Sequence, residues 1–256
     1  MNGINWIGIY TMIRREMMRM LRVVIQTLVS PLISATLYIF IFGHVIGSRI
    51  SLIAGVPYIT FVFPGILMLN IIMASFSHAS SSVYMGRFIK SIEEILIAPF
   101  SYFEIVFGFA AAAVIRSTLV AVGILAIGVL FHAVTITSPF LFLFYVVAIS
   151  TIFALTGILV GLWANGFEQL SALNTFVITP LTYLGGIFYS ISMLPPVMAH
   201  ITRWNPFFYF ADGIRHSMIG FSEANAYVGL AVILGLVAVL GFVTIYLFRI
   251  GWRIRS

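Results

Sequence analysis

The chain has 256 residues, of which 62% are hydrophobic and 8% charged, with a mean hydropathy of +1.15. A soluble domain carries about 25% charged residues, so this composition excludes one; at roughly 20 to 25 residues per crossing there is room for about six membrane helices and short connections. The formal net charge of +6 comes with no cysteine, which removes disulfides and cysteine metal sites and, in so apolar a chain, points to arginine kept on the cytoplasmic side rather than to nucleic acid.

Residues 4–22 are too charged to cross a bilayer, yet Trp6, Ile9, Ile13, Met17 and Met20 recur at steps of three and four, with Arg15, Arg19 and Arg22 on the other side. The pattern predicts an amphipathic interface helix, its apolar face in lipid and its arginines toward anionic headgroups. A first span follows at 24–42, too long for a signal segment and without a cleavage pattern after it. A loop through Arg49 and Pro57 leads to a second span at about 59–83, which carries Pro64 and a serine-rich half around His78.

Residues 87–104 read RFIKSIEEILIAPFSYFE and hold five of the twenty charged residues, including the only lysine. In a helical reading Phe88, Ile92, Ile95 and Leu96 share one face and Arg87, Lys90, Ser91 and Glu94 another. Lys90 and Glu94 form an i, i+4 pair, worth only a few tenths of a kcal/mol. The pattern ends at Pro99. Two readings fit: a connector resting on the membrane, or a helix whose polar face docks on a soluble partner and passes its motion to the flanking spans.

A third span at about 103–131 contains Arg116, the one charge well inside a span. Such a residue costs roughly 2.5 to 3.5 kcal/mol on insertion scales, so it is expected to face protein or a wet cavity, bonding either a neighbouring helix's carbonyls or an anionic substrate group. A turn at 137–139 opens a fourth span that ends near 163. In a fifth, at about 170–189, Ser171, Thr175, Thr179 and Thr182 fall on one predicted stripe with Asn174 and Tyr183 beside it, and Pro180, Gly185 and Gly186 suggest a yielding point. The stripe suits helix packing or the lining of a path and dimer seam.

Residues 190–222 cannot span. Pro195, Pro196 and Pro206 interrupt them, and Arg203, Asp212, Arg215 and, just beyond, Glu223 add charge. Unsatisfied backbone groups in hydrocarbon cost several kcal/mol each, so two short helices that dip in and return on one side are expected. A sixth span at about 226–248 and a basic tail complete the chain. With both termini in the cytoplasm, Arg14, Arg15, Arg19, Arg22, Arg87, Lys90, Arg249, Arg253 and Arg255 lie inside and only Arg49, Arg203 and Arg215 outside. The five histidines show no metal-ligand spacing, and neither a serine-hydrolase motif nor a phosphate-binding loop is present.

The strings EEILIAPFSYFEIVFG after the second span, and FYSISMLPP and WNPFFYFADGIR before the sixth, resemble the permease subunits of ABC-2 type exporters over nearly the whole chain. The likeness is greatest to the branch of YadH-like, Nod-factor and daunorubicin-type exporters. It implies a half-transporter of the bacterial inner membrane that forms a homodimer and binds two copies of a separate ATPase. ATP and Mg would sit on that partner, with no cofactor on this chain. By resemblance, residues 87–99 are the coupling helix, matching at Glu93, Glu94 and Pro99. With Arg87, Lys90 and Leu96, and with Arg15 and Arg19 of the interface helix, they form the expected docking set. The hairpin at 190–222 would close the outer end of the path through Tyr189, Leu194, Pro195, Pro196, Asn205 and Pro206. The cargo implied is a hydrophobic or amphipathic molecule moving outward. A stand-alone secondary carrier or channel is the competing function; it calls for an ion-coupling acid near the midplane and related halves, whereas the acids here lie near span ends or in connections. A retinal-type receptor calls for an intramembrane lysine, and Lys90 is placed outside. A membrane scaffold stays open.

Overall fold

The computed structural model describes residues 4–47, 52–53 and 55–254; Arg49 and Arg255, both used in the charge count, lie outside them. Apart from a short antiparallel hairpin, β1 (Leu52–Ile53) and β2 (Val56–Pro57), the described chain is helical. It is an all-α polytopic membrane protein.

The centre of the molecule is α3 (Tyr58–Phe88), which has no single polar face and is 89% buried over its most apolar window. A helix without a polar face must be surrounded, and α5 (Tyr102–Leu130) and α6 (Pro139–Trp163) surround this one. Gly157 and Gly161, one turn apart on α6, allow the closest approach. A Cβ at either would lie 2.7 Å from a carbonyl oxygen of α3, that of Phe76 or of Ser80, so small residues here bring two backbones together. The N-terminal α1 (Trp6–Arg22) packs on α5, and α2 (Ser30–Phe40) is flanked by π-helical turns at Ile25–Val29 and Ile41–Ile46.

After α6 the chain runs through α7 (Phe167–Leu173), a π-helical turn (Asn174–Ile178) and α8 (Thr179–Leu184), then a 3₁₀ turn (Ile191–Met193), α9 (Pro196–Trp204), α10 (Pro206–Ile219) and α11 (Ala226–Ile250). Among the described residues five helical stretches are long and apolar enough to cross a membrane: Ile25–Gly43, α3, α5, α6 and α11. The predicted fifth span is the less apolar run from α7 to α8. Residues 190–222 fold into two short helices; Asn205 ends α9 and caps α10 by accepting from Phe207 N at 3.1 Å, with Pro206 in the first turn.

Hydrogen bonds fix which elements share an end of the bundle. At one end the α5 capping box holds Ser101 and Glu104 together, and Glu104 Oε1 also accepts from Asn5 N at 2.6 Å, so the α5 cap anchors the start of α1. Arg87 Nε donates to the Arg253 carbonyl at 2.8 Å at the same end. At the other end Ser138 N donates to Ser217 O at 2.9 Å and Tyr58 Oη to Phe188 O at 3.2 Å, joining α10 to the start of α6 and the segment just before the helix pair to the start of α3. Both ends of the described chain therefore lie together, opposite the hairpin.

Candidate functional site

The charged connector differs in outline from the sequence reading. Arg87 belongs to α3, and Lys90 adopts a left-handed backbone (φ 59°) that ends the helix before α4 (Ser91–Ile97) begins. The expected 87–99 helix is thus seven residues long. Arg87 is turned inward: Nη1 donates to the carbonyls of Gly161 and Ala164, each at 3.0 Å, so this cation caps the end of α6. Ile92 and Ile95 are buried against Val83, Ile105 and Phe109, which keys α4 between the ends of α3 and α5. Phe88 does not share their face. Phe88, Ile89 and Ile97 are exposed, as are Lys90, Glu94 and Pro99, while Glu93 and Leu96 are half-buried. A cavity of about 490 Å³ opens beside α4, lined by Arg87, Lys90, Glu93 and Arg253 among others.

Helix α1 is rotated relative to the expected face. Its buried residues are Ile9, Met12, Glu16 and Met20, whereas Trp6 is exposed. Glu16 escaped the sequence reading because arginines surround it, yet its spacing from Ile9, Met12 and Met20, at steps of three and four, places it on the inward stripe. Its carboxylate accepts from Ser82 Oγ of α3 at 2.6 Å, from Arg19 at 2.9 Å and from Arg15 at 3.1 Å. The two arginines assigned to docking are thus committed to a buried acid. Burial lowers the Arg19 pKa, Glu16 opposes that shift and Arg15 adds to it; the guanidinium stays charged regardless.

Next to this pair, Arg116 Nη1 lies 3.3 Å from His78 Nδ1. A guanidinium only donates, so Nδ1 accepts and the imidazole proton sits on Nε2, 3.8 Å from Glu16. Among the described residues Arg116 Nε and His78 Nε2 are buried without a hydrogen-bond partner. Arg116 lies about 21 Å along α5 from its start, at 1.5 Å per residue, which is mid-helix. It lines two adjacent cavities. One, of about 440 Å³, also takes in Arg19, Gln26, Ser77 and His78; the other, of about 380 Å³, takes in Gln26, Ser30, Ser34, Tyr38, Asn70, Asn174, Thr179 and Tyr183.

The predicted polar stripe of the fifth span is broken. Ser171 and Thr175 are exposed, Asn174 and Thr179 half-buried and Thr182 fully buried, donating to Ile178 O at 2.6 Å. The π-turn at Asn174–Ile178 is the cause, because an extra residue per turn rotates the rest of the helix out of register. Tyr183 meets Tyr38, hydroxyl to hydroxyl, at 3.3 Å. The regular stripe is instead on the first span, where Gln26, Ser30, Ser34 and Tyr38 recur every four residues and all line the smaller cavity.

At the hairpin end, Tyr189, Leu194, Asn205 and Pro206 line an apolar cavity of about 480 Å³. Asn205 Nδ2 donates to Leu181 O at 2.7 Å and ties the hairpin to α8. Pro195 and Pro196 are exposed at the start of α9. Sequence reading counted Arg215 among the charges of the outer face; in the fold it is fully buried, donating to Gly186 O at 2.6 Å, 3.7 Å from Glu223 and 4.1 Å from the centre of the Phe61 ring. Asp212, one turn earlier, accepts from Ser222 Oγ and Glu223 N at 2.7 Å and from Ala224 N at 3.1 Å.

The family described as ABC-2 type transporter matches residues 8–219, which takes in α4, the Arg116 cavities and the hairpin. The inner membrane transport permease YadH of Escherichia coli (strain K12) is 36% identical over 218 residues, 85% of each chain. Nodulation protein J of Rhizobium meliloti (strain 1021) is 28% identical over 223 residues, 86% of this chain and 83% of its own.

Proposed function

The chain belongs to the ABC-2 type transporter family, as a multi-pass inner-membrane subunit without an ATPase site of its own, and from that premise we propose that it works as a homodimeric export permease driven by two copies of a partner ABC ATPase. ATP and Mg are bound by that partner. The end carrying both described chain ends and α4 faces the cytoplasm. The run from α7 to α8 serves as the fifth of six crossings, and α9–α10 closes the outer end of the path. The cargo is a hydrophobic or amphipathic molecule taken from the cytoplasm or inner leaflet.

One observation carries the reading. Helix α4 joins the two central helices, and its buried Ile92 and Ile95 sit in one cluster with Val83 of α3 and Ile105 and Phe109 of α5. A partner that displaces α4 therefore moves α3 and α5 together, and α5 carries Arg116 to the wall of both cavities. Exposed Phe88, Ile89 and Ile97 beside Lys90 and Glu94 give such a partner an apolar contact with a charged rim, the usual composition of a protein interface.

The test is co-purification with a candidate partner ABC ATPase. Changing Glu93 and Glu94 together to lysine should cut ATPase capture by about tenfold or more, the cost of two reversed charges at an interface, and abolish stimulated hydrolysis. Capture and stimulation at wild-type levels would refute the docking assignment.

A further inference from the structure

A buried charge normally keeps an opposite charge beside it, and Glu16 and Arg215 each follow that rule. Arg116 does not. It is 9% exposed, its one polar contact is the neutral His78, its Nε has no partner, and no carboxylate lies within ion-pair distance of it among the described residues. The neighbouring acid, Glu16, is already taken up by Ser82, Arg19 and Arg15. Three guanidiniums thus face one carboxylate in this part of the molecule, and the unmatched one lines both cavities.

The surroundings describe what would match it. The smaller cavity is lined, together with the guanidinium, by hydroxyl and amide residues, Ser34, Asn70 and Asn174, and by apolar Pro31, Leu69 and Met73. Asn174 Oδ1, an acceptor buried without a hydrogen-bond partner, would be met by a donor on the same headgroup, such as a hydroxyl. A planar guanidinium with free donors in a low-dielectric recess suits an oxyanion, and the apolar wall suits a chain attached to it. We infer that the Arg116 recess binds the anionic headgroup, a phosphate, sulfate or carboxylate, of an amphipathic molecule. This deepens the export reading, on which it rests, by giving the cargo its charge.

The experiment holds the full-length chain in nanodiscs of zwitterionic phosphatidylcholine and compares a tail-labelled lysophosphatidate with a monoacylglycerol carrying the same label. The phosphate probe should bind saturably and about tenfold tighter than the neutral one, a charge-assisted contact's worth. Arg116→Gln should bring the two within about threefold, and Arg116→Lys should keep part of the preference. Ser34→Phe, which fills part of the cavity and leaves the cation in place, should weaken both probes. Equal affinities in the wild type, a preference that survives Arg116→Gln, or full binding in Ser34→Phe would each overturn the inference. Should Arg116→Gln fail to fold, the wild-type preference and Ser34→Phe still decide it. Two-chain phosphatidylglycerol that competes with the probe assigns the anion to a bilayer lipid; failure to compete assigns it to a single-chain cargo, and both place it on Arg116. Binding is read without the ATPase, so lost preference with intact ATPase capture overturns this inference alone, and retained preference without capture overturns the export reading alone.

Discussion

Arg116 in the cavity wall and Arg215 on α10 of the hairpin are both buried arginines, and they are treated in opposite ways. Arg215 has a carbonyl at 2.6 Å, Glu223 at 3.7 Å and the face of Phe61, and Asp212 beside it pins the turn that leads into α11. Arg116 has a neutral imidazole and an open recess. Burial alone therefore says little about purpose. The count of opposing charges separates a cation that holds two segments together from one kept for something absent.

That contrast breaks most readily at Arg215. Arg215→Ala leaves Glu223 without its counter-charge and the Gly186 carbonyl without its donor, and removing one partner of a buried pair costs about 3–5 kcal/mol, so the thermal unfolding of the detergent-solubilised chain should move down sharply. Asp212→Ala should cost less, about 1–3 kcal/mol, the price of unsatisfied turn donors, and should raise amide exchange at residues 222–224. Arg116→Gln sharpens the comparison from the other side. With no acid to strand and an unpaired charge removed, stability should stay within about 1 kcal/mol of wild type or rise. A loss as large as that of Arg215→Ala would make the two arginines alike.

Much of the architecture was legible in the chain. Hydropathy located the long helices, and Pro195, Pro196 and Pro206 foretold the paired short helices because proline cannot continue a ladder. The connector at 87–99 was visible as a charge anomaly, but its interruption at Lys90 was not, since a left-handed lysine leaves no signature in hydrophobic period. The fifth-span stripe misled for a related reason. A reading at 3.6 residues per turn has no place for the π-turn at Asn174–Ile178. Glu16 and the stripe of Gln26, Ser30, Ser34 and Tyr38 were readable from spacing but were masked, one by neighbouring arginines and the other by the apolar residues around it. Arg215 was counted only as an outer-face charge, and its burial was not legible because its partners, Gly186 and Glu223, come from segments far apart in sequence or past a turn.

The central claim is that α4 receives a cytoplasmic ATPase at the end of the bundle opposite the hairpin. The chain has no cysteine, so a single introduced thiol reports without background. Ile97 on α4 is 87% exposed and Val197 on α9 is 71% exposed, and each is replaced by cysteine in turn. In inside-out vesicles holding the partner ATPase, a short thiol-reactive crosslinker should join Ile97→Cys to the ATPase and leave Val197→Cys unlinked. Crosslinking at Val197→Cys with none at Ile97→Cys would contradict the account.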